Sequence, residues 1–310
     1  MKARILSAIA AACMAAFIFT ACQKDTSSNT TDYSSETTTH SDDQNRFSGE
    51  VDAAANDVVG TLDITSGFAG KGQDVQSLIC DATVVVDTMS NPRTITITYN
   101  GTNCLGNRTR TGVIVVSMAQ GVRWKNAGAQ ISVTFQNFKI TRVADNKSIT
   151  INGTQTFTNV SGGLLINLPV LGTITHTITS SNMSVTFDNG SQRTWQVARQ
   201  RVFTYNNGVV VTVTGLHTEG TVTGVAEWGT NRFGNAFTTA IKEPLVFKQD
   251  CSFRLGSGKV EHTTTHFNAT ATFGLDANGN PTSCPGANAY YMKIVWTGPN
   301  GNTRTAILPY

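Results

Sequence analysis

Apolar side chains in this chain recur at every second position across most of its length, the period of a strand that buries one face. The run Thr94 to Tyr99 (TITITY) sets Ile95, Ile97 and Tyr99 on one face and threonines on the other. Ile131, Val133 and Phe135 alternate likewise, and Phe138 and Ile140 then continue in the opposite phase. A one-residue slip of that kind predicts a β-bulge at Gln136–Asn137. Turn signals punctuate the runs: Ser90-Asn91-Pro92, Asp188-Asn189-Gly190, Asn206-Asn207-Gly208, Asn278-Gly279 and Asn300-Gly301. Asn-Gly pairs tolerate the positive φ of tight hairpin turns. Long strands are expected over Gly172–Phe187, Gln192–Tyr205 and Val209–Val225. The fold class is therefore all-β: an antiparallel meander of about twelve to fifteen strands, forming a curved sheet, a sandwich or a partly closed barrel. Val51–Val59 is expected as its one short N-terminal helix, and residues 49–310 as the β domain.

Ahead of that domain, Lys2 and Arg4 precede an uncharged apolar stretch of fifteen residues, Ile5 to Phe19. A bilayer-spanning helix needs about 20 apolar residues, and Gln23, Lys24 and Asp25 follow at once. The pattern reads as a cleavable leader over residues 1–21. Gln23 to Arg46 is rich in Ser and Thr, with scattered acids and no aliphatic residue. Such a segment buries too little apolar area to offset the entropy of ordering it. Residues 22–48 are accordingly expected to be a flexible tether.

The formal charge is +3, from 23 basic and 20 acidic residues; loss of Lys2 and Arg4 with the leader leaves 21 against 20. No basic stripe emerges, which argues against nucleic acid as a partner.

Discounting Cys13 in the leader and Cys22, four cysteines remain: Cys80, Cys104, Cys251 and Cys284. Four cysteines in an exported chain suggest disulfides, with three connectivities open. A turn at Ser90–Arg93 sets Cys80 about one residue from register with Cys104, leaving Cys251 with Cys284. Free thiols are the alternative. A zinc site is not expected, because no two cysteines have the close ligand spacing it requires.

Nothing else forms a recognisable catalytic set. His262 and His266 have i, i+4 spacing, but on a Thr-rich strand they would sit about 13 Å apart and are read as surface histidines. His40 falls in the expected tether. Glu219 and Glu227 are a weak carboxylate pair; Asp276 to Asn280 starts like a calcium loop, but Pro281 stands where glycine is required. Trp124, Trp195, Trp228 and Trp296 are read mainly as core, with sugar stacking the alternative. No enzyme activity, cofactor or metal is expected.

Phe19-Thr20-Ala21-Cys22, at the end of the apolar run, resembles the lipobox of bacterial lipoproteins. That resemblance implies acylation of Cys22 and attachment to a membrane through the lipid. Gln23-Lys24-Asp25 is partly similar to a surface-export tether, which implies residence at the outer membrane of a Gram-negative cell, with surface exposure as an extension. The leader, the tether and the phrases NPRTITITYNGTNC, TRTGVIVV and ITINGTQTFTNV resemble an uncharacterised family of all-β Gram-negative envelope lipoproteins. The implied role is non-enzymatic, either binding or structural. A glycan or an envelope protein is the implied partner, a surface glycan-binding or adhesin module the second reading, and a secreted hydrolase the third.

Overall fold

In the computed structural model, which describes residues 33–65, 79–180, 182–282, 284, 289–297 and 301–310, a single antiparallel sheet wraps a long helix. The helix α1 runs over Ser34–Ile64. The sheet contains β1 (Ala82–Asp87), β2 (Arg93–Thr102), β3 (Arg108–Met118), β4 (Ala129–Arg142) and β5 (Ser148–Asn159). After a 3-10 turn and the four-residue helix α2 (Leu168–Leu171) come β6 (Thr173–Ser180), β7 (Ser184–Phe187), β8 (Gln192–Tyr205), β9 (Val209–Gly215) and β10 (His217–Glu219). The meander ends with β11 (Val222–Thr230), β12 (Ala236–Lys248), β13 (Leu255–Thr264), β14 (Asn268–Leu275), β15 (Tyr291–Thr297) and β16 (Thr303–Pro309). All pairings are antiparallel, β1 and β16 form the two ends of the path, and the sheet curls partly into a ring without closing as a barrel.

Period-two patterning sets the inner face. Ile95, Ile97 and Tyr99 of β2 are buried while their threonine neighbours point outward. The register of β4 against β5 shifts between Phe135 and Phe138, with Asn137 at φ 48°, so the bulge lies where the phase slip placed it. Gly112 on β3 faces that bulge. A Cβ there would lie 2.2 Å from the Asn137 carbonyl oxygen, so only glycine fits the close approach. Two expected long strands are broken: Gly172–Phe187 divides into β6 and β7, and Val209–Val225 into β9, β10 and the start of β11.

The expected tether is corrected more deeply over its described part, residues 22–32 lying outside the described residues. Residues 34–48 form the first half of α1, and Tyr33–Tyr310 is one compact unit. The short helix expected at Val51–Val59 is the middle of a 31-residue one. Its hydroxyl-rich start is accommodated because Thr37 Oγ1 donates to the Tyr33 carbonyl and Thr38 Oγ1 to the Ser34 carbonyl, both at 2.9 Å. Bonding back along the helix satisfies groups that otherwise favour turns. Further along, Phe47, Val51, Ala54, Ala55, Val58, Val59 and Leu62 make an apolar stripe at helical spacing, fully buried against β1–β5 and β8.

Many polar positions of α1 are buried or half-buried too, and the sheet meets its acids with cations. The helix carries seven acidic residues and one basic residue, a net charge of −6. Asp42 pairs with Arg142 (3.0 Å), Asp43 with Arg232 (2.6 Å), Glu50 with Arg108 (2.5 Å), Asp52 with Arg199 (3.0 Å) and Asp57 with Arg110 (2.8 Å). These arginines come from β3, β4, β8 and the β11–β12 turn, so the contacts radiate around the helix. Removing one partner of a buried pair strands a charge, at a cost of about 3–5 kcal/mol. Arg199→Ala should lose stability on that scale in denaturant unfolding. Lys259→Ala, which breaks the exposed pair with Glu243, should change it by less than about 1 kcal/mol. Equal losses from the two would contradict the clamp.

Candidate functional site

Cys22 lies outside the described residues. The structure joins Cys80 to Cys104 (Cα–Cα 5.4 Å) and Cys251 to Cys284 (5.0 Å). Among the described residues, the one group of three or more donors within ligand range is Asp250, Cys251 and Cys284, and its two sulfurs are spent in a disulfide. Glu219 and Glu227 do not meet as a pair: Glu227 is buried inside the sheet and Glu219 is exposed on β10. Asp276 Oδ1 accepts the N–H groups of Asn278 and Asn280, closing a turn.

His266 is exposed as expected, but the readings of His262 and His40 are corrected. His262 is buried rather than on the surface, because its position on β13 faces α1, and His40 is a buried residue of that helix. Their rings approach edge-on at 5.2 Å within a cage of Trp195, Phe237 and Phe267. His262 Nδ1 bonds Thr239 Oγ1 at 3.0 Å, whereas both nitrogens of His40 are without a hydrogen-bond partner.

Beside this cage is the most connected polar node of the interior. Glu227 accepts from Arg199 and Ser48 through Oε1, and from Trp195 Nε1 through Oε2 (2.6 Å). Ser48 Oγ in turn accepts from Arg199 Nη2 (2.8 Å) and Gln44 Nε2 (2.7 Å). A serine beside a carboxylate invites a catalytic reading, but Glu227, Arg199, Gln44 and Ser48 are all buried. Arg199 Nη1 and Nη2, Ser48 Oγ and Trp195 Nε1 all donate within it, so the node ties α1 to β8 and β11.

Two further clusters reach solvent, the first through His266 and the second through Glu219. Where α1 begins, His266 Nδ1 bonds Glu36 Oε2 at 3.0 Å, and Asn231 and Asn235 donate to Glu36 Oε1. Tyr33 stacks on the His266 ring at 4.5 Å. Burial works against the Glu36 carboxylate, yet the bonds from His266, Asn231 and Asn235 outweigh it and hold the carboxyl below its usual range. On the outer face of β11, Trp228 stacks with His217 at 4.1 Å, and His217 Nε2 lies 3.0 Å from Glu219. Trp124, Trp195 and Trp296 are core. A shallow groove beside Asn91–Pro92, lined by Ser117, Gln130, Ser132 and Thr156, offers hydroxyls and amides but no titratable group. No protein-family model, curated protein or solved structure matches the chain.

Sequence reasoning passed over α1 as a source of interior chemistry. The signal that could have exposed it was the apolar spacing 47, 51, 54, 58, 62, which begins inside the segment read as tether.

Burial keeps three histidines neutral. It pushes His262 down to about 4 and His176 down to about 3, with Arg201 adding to the effect at His176, and it holds His40 well below 6.5. An unfolded chain takes up these protons near pH 6.5. Stability from this source is whole above that pH and declines as pH falls below it, the shares of His262 and His176 levelling off near pH 4 and pH 3. Asp63 behaves oppositely, since burial raises its carboxyl to about 7 against the bonds donated by Leu165 and Ile166. The folded state then keeps a proton that the unfolded state has released, so stability falls as pH rises from about 4 to about 7. Thermal unfolding of Asp63→Asn, which keeps an acceptor for Leu165 N–H, should show a gain at pH 8 and none at pH 3. His176→Leu should flatten the acid-side decline. A pH-independent shift in either variant would refute its assignment.

Proposed function

We propose that this chain is a lipid-anchored lipoprotein of the cell envelope whose β domain has a non-enzymatic binding or structural role. The observation that carries the reading is Phe19-Thr20-Ala21-Cys22 at the end of the apolar run, only eleven residues before the compact unit opens at Tyr33. The interior supports the non-enzymatic part. Its strongest acids and bases are committed to one another across the helix–sheet seam, and Ser and Thr dominate the solvent face of the strands. Residence at the outer membrane belongs to the same proposal, supported by Gln23-Lys24-Asp25 after the cysteine. Metabolic labelling with a radioactive fatty acid tests it. The chain should take up label and Cys22→Ser should not; equal labelling of the two would refute the anchor.

A glycan-binding module is the second reading, favoured by the Trp228–His217 stack beside Glu219 on the outer face. Aromatic planes of this kind pair with sugar rings. On an array of envelope and host glycans, Trp228→Ala should erase any signal of the parent chain; a retained signal would remove Trp228 as the platform.

A further inference from the structure

The segment joining β5 to β6 exposes more apolar surface than folding explains. Residues 163–172 read GLLINLPVLG, with no charged side chain. Leu164 and Leu168 are buried and root the segment in the core, while Ile166, Val170 and Leu171 are 57%, 91% and 50% exposed. Leu165 N–H donates to Asp63 Oδ2 at 2.6 Å, fixing the tip to the C-terminal end of α1. On the other side, Gly163 N–H donates to the Lys125 carbonyl at 2.8 Å, and a Cβ on Gly162 would lie 2.8 Å from Ala127 N. The tip is thus held against the β3–β4 loop, which presents the exposed residues Arg123 and Lys125. The β8–β9 turn adds half-exposed Tyr205, since Thr173 at the end of the segment pairs with Thr204. Residues 119–128, 160–172 and 205–208 together carry two basic side chains and no acidic one.

We propose that this tip is a lipid-contact site, in which Ile166, Val170 and Leu171 enter the headgroup–acyl boundary of a bilayer while Arg123 and Lys125 meet anionic phospholipid headgroups. Apolar side chains protruding beside cations are what interfacial binding requires, area from the first and attraction from the second. A second copy of the chain fits less well, because two such faces would bring like charges together. The contact rests on the envelope location proposed above only for its access to lipid.

The test uses the full chain reconstituted into vesicles, with an environment-sensitive fluorophore on Val170→Cys. A control carries the same probe on Leu105→Cys, 62% exposed in the β2–β3 turn at the opposite end of β3. In phosphatidylglycerol vesicles the Val170 probe should shift to the blue and be quenched by acyl-chain nitroxides, with the Leu105 probe remaining water-like. Lys125→Ala should weaken partitioning roughly fivefold, the share of one basic residue at an anionic surface, and phosphatidylcholine vesicles, which remove the shares of both Arg123 and Lys125, roughly thirtyfold. A water-like Val170 probe in every vesicle overturns the proposal. So does a blue shift that follows protein concentration rather than lipid, which would mark self-association, and so does insertion indifferent to lipid charge. Fatty-acid labelling of the same samples separates the two claims: insertion without acylation would sink the anchor and keep the tip, and acylation without insertion the reverse.

Discussion

The fold depends on charge complementarity between a helix and the sheet around it. An acidic helix of 31 residues and net charge −6 is surrounded by a sheet that turns arginines inward from β3, β4, β8 and the β11–β12 turn. Each part leaves groups unmet without the other. The helix has a polar first half with weak intrinsic preference and no side-chain N-cap, and an isolated helix of that composition is marginal in water. The sheet without the helix would hold Arg199 and Arg201 in an apolar interior with no carboxylate opposite Arg199 but Glu227.

Two kinds of contact divide the work along α1. From Phe47 to Leu62 an apolar stripe supplies non-directional burial, each large side chain worth about 1.5–3 kcal/mol. The carboxylates supply little net energy, since desolvation consumes most of what an ion pair returns. They do supply register. Asp42, Asp43, Glu50, Asp52 and Asp57 each reach a different arginine. Sliding or rotating the helix by one residue would break all of these at once. A curved sheet with a smooth apolar lining has no comparable means of locking a cylinder in place.

Much of the sheet was legible in the sequence. The alternation of Ile95, Ile97 and Tyr99, the slip at Gln136–Asn137 and the pairing of Cys80 with Cys104 all follow from a period of two and from turn chemistry. The helix was legible only in its apolar half. Ser34 to Asp43 looks like a solvated tether because its composition forbids burial in isolation. The arginines that make burial possible lie between 100 and 189 residues away for Asp42 and Asp43. Nothing local announces them. The same blindness placed His262 on the surface, since a histidine among threonines shows its buried side only when the strand's facing partner is known.

The order in which the chain meets this architecture bears on mechanical load. A pull applied at Tyr33 acts on the start of α1 and not on the first or last strand. Peeling an edge strand breaks its ladder one bond at a time. Drawing α1 lengthwise must displace Asp42, Asp43, Glu50, Asp52 and Asp57 from their arginines together and drag Phe47 and Leu62 out of their seats. The element that opens the compact unit is thus held to the sheet by ion pairs and by its apolar stripe at once.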